Sequence, residues 1–593
     1  MNLKNIILPS LLLGAAMVAT TSCGDFLEQD SEQVIYADKG HLGSASDTIY
    51  SVTGIMNKMQ TLADRTILLG ELRGDLMDVN SNTSAELREI ANFNISDDNK
   101  YNSPRDYYAV INNCNYFIAK VDTAMRNNRN EHIFLKEYAA VKAFRAWTYL
   151  QLVMNYGSVP FVTTPILTKE EGDRKYETKD IREVCEYLIN DIAPLAEIEN
   201  PNYGSIRNTD SRLFFFPIYV LLGDLNLWAG HYKEAALAYY KYLNTRNGSN
   251  SAYPIGTNAT QWFNKSGRWT TVRDSWTSSS FYSETKDSYS ELITMIPGDS
   301  IQAEGNYSLL RDIFNSSDNN NYKVQAVPSK RIQEISLAQK YCDLSSSNTP
   351  IYAPEGLNFM RSGDLRFASS WISTAMGFSV RVDGKQIEDY SVLSKYSSRN
   401  VHMYRRTMVY LRLAEALNRA GYPIFAFKIL SSGVNNKVIE DEVIPHYSAD
   451  STWLRQFDFP NLKYVLRTTN GLSSENTIGI HSRGCGWTEY NEFYTLPDDS
   501  TITDSIARRD YQINKVEDLI MDEEALEFAF EGHRFYDLMR VALRRNDPSY
   551  LANKVYERRG KNNVEEVKAL IKSNLTDTRT WYLNWNDKIG LGY

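Results

Sequence analysis

The chain has 593 residues, 42% of them hydrophobic and 23% charged, an ordinary globular balance that excludes wholesale disorder. Its formal net charge of −9 makes an acidic surface that repels phosphate backbones, which excludes nucleic acid as a partner. The 39 Tyr and 10 Trp suit helix packing and sugar stacking equally, so composition leaves both readings open.

Residues 1–22 read as a secretory signal. Lys4 carries the positive charge, an apolar run follows from Ile6 to Val18, and Thr20, Thr21 and Ser22 lead into Cys23. The run falls short of the ~20 residues that span a bilayer. Cys23, followed at once by Gly24 and Asp25, reads as the acylated first residue of a mature lipoprotein, with Thr20 where such a signal usually has an aliphatic residue. The plainer alternative is ordinary signal cleavage beside an incidental cysteine. No later stretch reads as long and apolar enough to cross a membrane, so a soluble body on a lipid anchor is expected.

Arg73-Gly74-Asp75 precedes a polar cluster of Asp78, Asn80, Asn82 and Thr83 in what reads as a loop after a helix. Turn formation and helix capping account for such a cluster as readily as ligand binding does. From Glu131 to Tyr156, Ala143, Trp147, Leu150 and Met154 recur at helical spacing, and Val141, Phe144 and Leu152 widen the apolar face to that of a helix packed between others. Gly157 stops it and Val159-Pro160 leads out extended. Helical patterns follow over Ile181–Leu195, Phe214–Ala229 and Tyr232–Leu243.

Tyr219–Gly230 (YVLLGDLNLWAG) and Tyr410–Gly421 (YLRLAEALNRAG) resemble one another: each starts with Tyr, has Leu fourth and an acid sixth, and ends in Ala-Gly. A second helical run follows each. A helix, a glycine turn and a second helix with a small residue facing back make a tetratricopeptide-like hairpin. Between Asn244 and Asn400 helical periodicity fades. Ser, Asn and aromatics dominate, with tracts at Ser316–Asn321 and Ser345–Asn348. This predicts an irregular, loop-rich insertion. Within it Trp262, Trp269, Trp276 and Tyr282 interleave with Arg273 and other polar residues, the mixture of rings and hydrogen-bonding groups that a glycan site requires. Packing of the insertion onto the helices is the competing account of each ring. A second loop region covers 443–504, helix is expected from Val516 to Arg545, and an aromatic tail runs from Trp581 to Tyr593.

The five cysteines show no C-x-x-C pair and no histidine at zinc-finger spacing, so a structural metal is not expected, and Cys114, Cys185, Cys342 and Cys485 read as buried thiols, with disulfides formed in an oxidising compartment as the alternative. No G-x-S-x-G, H-E-x-x-H or phosphate-loop motif occurs, and neither enzyme activity nor a cofactor is expected. Glu531, Arg534, Asp537 and Arg540 stand at three-residue spacings that predict ion pairs along one helix face. His533, with no partner at catalytic spacing, reads as structural.

Four stretches together resemble the SusD/RagB family of nutrient-binding outer-membrane lipoproteins: Cys23-Gly24-Asp25-Phe26-Leu27-Glu28, Lys142–Leu150 with Tyr156-Gly157-Ser158-Val159-Pro160, Leu413–Gly421, and Glu527–Arg540 (EFAFEGHRFYDLMR). Glu524 departs from the Arg usual there. The resemblance implies a mainly α fold, a tetratricopeptide-like helical-hairpin scaffold with a large irregular insertion, laid out as helical 23–250, irregular 251–400 and helical 401–593. It also implies a lipid-anchored protein on the outer membrane, partnered by a SusC-like TonB-dependent transporter, that captures glycan or, in a RagB-like role, peptide. A surface hydrolase is a third, competing reading. On this basis the ligand-site candidates are Asp75, Asp78, Asn80, Trp262, Trp269, Arg273, Trp276 and Tyr282, with Cys23 as the lipidation site.

Overall fold

The computed structural model describes residues 45–585, except 245–259, 266–267, 275–290, 300, 302, 304, 316–323, 340–341, 345–349, 353–362, 374–380, 383–384, 387–390, 460–478, 486–493 and 559–564. Cys23, Trp276 and Tyr282 therefore lie outside the described residues.

Helices α1 (Ala45–Leu72), α2 (Ala85–Ala91), α3 (Pro104–Lys120), α4 (Leu135–Tyr156), α5 (Ile181–Ile192), α6 (Ile218–Ala229) and α7 (Tyr232–Asn244) build the first half. After the insertion come α8 (Arg406–Arg419), α9 (Pro423–Ser431), α10 (Ser505–Phe528), α11 (Arg534–Arg545) and α12 (Pro548–Glu557). α1 packs on both α2 and α3, from α3 onward consecutive helices pack on one another, and α8 packs on α7 and also on α10, which closes the two halves into one body. α4 runs through its centre: every residue from Ala139 to Tyr156 except Lys142 is buried, with Trp147 stacked on Phe216 at 5.0 Å and Phe144 on Phe215 at 5.7 Å.

The two similar segments are the first helices of two hairpins, α6–α7 and α8–α9, and Gly230 (φ 86°) and Gly421 (φ 97°) make the left-handed turns. Axes approach closely in the first: a Cβ added to Gly223 would stand 2.2 Å from the Tyr239 ring. The acid at the sixth position of each segment is buried and paired with arginine, Asp224 with Arg412 at 2.6 Å and Glu415 with Arg540 at 2.7 Å. Ser211–Ala229 reaches the length and hydropathy, 1.2, of a membrane span, which corrects the expectation that no such stretch follows the signal. That stretch is 83% buried within the protein and reads as a core helix.

The helix expected over Val516–Arg545 is two helices. Phe530 and Gly532 take φ values of 74° and 87° and break it, because the linker lies against α1: a Cβ on Gly70 would meet the Gly532 oxygen at 1.8 Å. The described residues of the insertion contribute short paired strands. Leu292–Ile296 pairs antiparallel with Val401–Arg405, Met77–Val79 with Ala326–Pro328, and Thr260–Lys265 with Arg268–Asp274. Cys114 and Cys185 are free and buried, and burial raises both thiols above their ordinary range.

Candidate functional site

The described residues enclose a cleft of about 240 Å³ between α1, the Lys100–Tyr101 turn, the loop after Leu292–Ile296 and the segment that enters Val401–Arg405. Each wall is fixed locally. α1 turns a polar stripe toward it, Asn57, Gln60, Thr61 and Asp64, at spacings of three, four and seven residues. Gln60 Nε2 donates to the Pro297 oxygen at 2.6 Å, and Asn306 Nδ2 donates to Asn57 Oδ1 at 2.8 Å and Gln60 Oε1 at 3.1 Å. Asp64 accepts from Ser308 Oγ at 2.6 Å and from the Leu309 amide at 2.7 Å. Burial raises its carboxyl above the usual carboxylate range, and those two hydrogen bonds pull back against the rise.

Across the cleft, the strand pair sets Gly298 against Arg399 and Asn400. The Gly298 amide donates to Asn400 Oδ1 at 3.0 Å, and a Cβ on Gly298 would fall 2.1 Å from the Arg399 oxygen, so only glycine fits. Arg399 pairs with Asp312 at 2.6 Å and lays its guanidinium 3.7 Å from the Tyr307 ring centroid. On the other side Arg65 donates to the oxygens of Ser103 at 3.0 Å and Lys100 at 3.3 Å, pairs with Asp106 at 2.5 Å, and so pins the turn that carries Tyr101. Lys100 extends its ammonium to 5.0 Å from the Tyr101 ring centroid. Burial raises the Tyr101 phenol, which stays protonated and can both donate and accept.

The arrangement is a polar trough with two tyrosine rings and an amide-rich floor. Its volume lies below the roughly 300–1,000 Å³ of drug-sized sites, which suits one or two rings of a longer chain lying across it. Asp64 is the one carboxyl group in its lining among the described residues, and both oxygens accept hydrogen bonds. Deeper in, beside His533, a slot of about 30 Å³ is too small for a sugar ring. His533 is half-buried, with its Nε2 withdrawn from solvent, and its pKa is pushed down to about 3 by the low-dielectric surroundings and, next, by the Arg412 charge, so its imidazole is neutral.

The residues singled out by sequence fall elsewhere. Asp75 is withdrawn as a ligand candidate: it is 0% exposed, and Arg534 donates to its two oxygens at 2.6 and 3.0 Å. Arg534 thus serves Asp75 across the fold, while Glu531 pairs with Lys395 and Arg405, so of the two expected local pairs only Asp537–Arg540, at 2.8 Å, forms. Asp78 is half-buried in the strand opposite Val327, and Asn80 closes the turn to Thr83 while donating to the Val324 oxygen at 2.9 Å. Trp262, Trp269 and Arg273 lie on a β-hairpin opposite Val272, Asn264 and Gln261. Tyr101, Tyr307, Lys100 and Arg399 were missed, since they come from separate segments. The polar stripe on α1 was the signal that could have found this face.

The sequence profile of the SusD family matches residues 495–584. SusD-like protein P2 of Formosa agariphila is 26% identical over 182 residues, 30% of this chain and 35% of that protein, so the match spans about a third of the relative's length. Among solved structures, a SusD superfamily protein from Bacteroides vulgatus aligns over 89% of this chain and 95% of its own, with TM-score 0.53 and 14% identity. A SusD-like carbohydrate binding protein from Bacteroides fragilis aligns over 85% and 88%, with TM-score 0.53 and 14% identity. At such identities the likeness is one of fold.

Proposed function

We propose, from the SusD family profile matched at residues 495–584 and the likeness to SusD-like protein P2, that the chain is a SusD/RagB-type protein that binds glycans at the cell surface and delivers them, uncleaved, to a partner SusC-like TonB-dependent transporter for import across the outer membrane. The observation that carries the reading is the trough itself, in which the half-buried Tyr307 offers ring surface to C–H groups, the buried Tyr101 backs the wall, and Gln60, Asn306, Thr61 and Lys100 offer hydrogen bonds to hydroxyls. Glycoside hydrolysis calls for two carboxyl groups about the scissile bond. Among the described residues the trough lining supplies Asp64 alone, already engaged on both oxygens, which supports capture without turnover. Lipidation of Cys23 would hold the protein at the outer membrane, and the hairpin Trp262, Trp269 and Arg273, with Trp276, Tyr282, Asp78 and Asn80, remain proposed contributors to the ligand face.

The test is affinity electrophoresis and calorimetry of the purified protein against a panel of neutral and acidic poly- and oligosaccharides, followed by chromatography of the ligand. Binding with ligand recovered intact is expected. Cleaved product would establish a hydrolase, and silence toward every glycan together with peptide binding would replace this reading with peptide capture. Full-length protein should co-purify with a TonB-dependent barrel from outer membranes, and Cys23→Ser should release it from them.

A further inference from the structure

The geometry points to a second saccharide site, for a neutral sugar unit, in a separate cleft between the Phe93–Ile95 turn and the segment Asp577–Asn584. This cleft has a volume of about 390 Å³ and shares no lining residue with the trough described above. It goes beyond the proposed function, which needs one site only.

Three features build it. Tyr582 is a held platform: a Cβ added to Gly157 would lie 3.0–3.1 Å from three of its ring atoms, so the ring is seated on the bare glycine that ends α4 while also lining the cleft. Phe93 also lines the cleft, with φ 55°, a left-handed conformation that a bulky residue seldom takes, and is fixed by the hydrogen bond its amide donates to the Ile90 oxygen at 3.2 Å and by the Phe535 ring at 5.9 Å. Two half-exposed rings in one cleft lining match the C–H faces of a pyranose.

The polar groups fit a ligand without charge. Arg579 and Asp577 close on each other, Nη2 to Oδ2 at 2.6 Å and Nε to Oδ1 at 3.0 Å, leaving the rim a neutral, flat array of donors and acceptors. Arg73 lies under the floor and is 1% exposed. It donates to the oxygens of Leu69 at 2.9 Å and Trp581 at 2.9 Å and to Asn155 Oδ1 at 2.5 Å, where the end of α1 favours a cation. The exposed side-chain amides of Asn94 and Asn584 make no hydrogen bond among the described residues and stand at the rim, where ring hydroxyls would meet them.

The experiment uses the full protein in a Lys100→Ala/Tyr307→Ala background that weakens the first trough, titrated by calorimetry with malto-, cello- and xylohexaose and checked by affinity electrophoresis on the matching polysaccharides. Residual binding of at least one neutral glycan is expected. It should weaken at least five-fold on adding Asn94→Ala/Asn584→Ala, whose exposed side chains can be removed without disturbing the core, and at least as much on adding Tyr582→Ala. Residual binding indifferent to all these changes would overturn the second site. So would no residual binding, which would leave the first-trough reading standing. If instead the background variant binds like wild type and only the Asn94, Asn584 and Tyr582 changes reduce binding, the second site is upheld and the first trough fails. Wild-type protein that binds none of these neutral glycans, or that binds acidic sugars or peptides here, overturns the proposal outright.

Discussion

In the hairpin of α6 and α7, Leu221, Leu225, Ala235 and Tyr239 meet as apolar surface. Where the insertion meets α10, the contacts are of the opposite kind. Four buried cations, Arg366, Lys395, Arg405 and Arg483, interlock with five buried carboxylates, Glu291, Asp364, Glu523, Glu527 and Glu531. Glu527 stands at the centre, 2.7 Å from Arg405, 2.9 Å from Arg483 and 2.9 Å from Arg366. Apolar packing is non-directional and relaxes around a small change. A buried charge array is satisfied only as a whole, because each member removed leaves others unpaired in a poorly solvating interior. The seam also anchors the trough: the segments that begin at Glu291 and Lys395 continue directly into Pro297–Leu309 and Arg399–Val401.

The largest expected effect tests this contrast with two substitutions of nearly unchanged volume. Glu527→Gln should cost about 3–5 kcal/mol in denaturant unfolding, because three arginines lose their shared counter-charge. Leu225→Met, equally shape-conserving and equally buried in the hairpin, should cost less than about 1.5 kcal/mol. Equal costs would remove the distinction between the two regions.

That contrast also explains what could be read from sequence. The hairpins were legible because apolar residues at helical spacing and the glycines at 230 and 421 are local signals. α3 escaped notice, and α1 entered only as the helix before the Arg73 loop; α1 carries Asn57, Gln60 and Asp64 toward the trough, which dilutes its apolar period. The break at Phe530–Gly532 depends on contact with Gly70, and the seam joins residues such as Arg366 and Glu527 that are 161 positions apart. Such pairings exist only after folding. The candidate Trp residues were found from loop composition, whereas the trough is assembled from four distant segments, none of them conspicuous alone.

A second, smaller effect comes from Glu71, at the end of α1 where it abuts the seam. Its Oε1 accepts from the Gly532 amide at 2.9 Å, and burial raises its pKa to about 7 from 4.5. The folded state therefore holds this proton more tightly than the unfolded chain. The corresponding stability is full below about pH 4.5 and is lost as pH rises through about 7. Glu523 runs the other way. Burial works against its ionised form, but Arg366 and His481 outweigh it and hold the pKa down to about 2, so its contribution is present above about pH 4.5 and lost as pH falls toward 2. Unfolding followed from pH 5 to 8 should show a decline that Glu71→Gln flattens, on the order of 2–3 kcal/mol at the upper end. A decline unchanged in that variant would mean that the Glu71 proton is not linked to folding.

The smallest effect falls on binding and asks whether the charged seam matters to the ligand through the trough it holds in place. Tyr307 is half-buried beneath the Arg399 guanidinium, and Arg399 also donates to its hydroxyl. If the ring face is what a sugar meets, Tyr307→Phe should bind within about two-fold of wild type, because the face and the cation above it remain. Tyr307→Ala should weaken binding by about 1 kcal/mol, or roughly five-fold, as expected for one aromatic contact. Both variants should unfold close to the wild type, since a half-exposed side chain outside the seam contributes little to the core. Weak binding by Tyr307→Phe would instead place the recognition in the hydroxyl and its bond to Arg399. The seam would then act on the ligand through Arg399, whose position is set only four residues beyond Lys395.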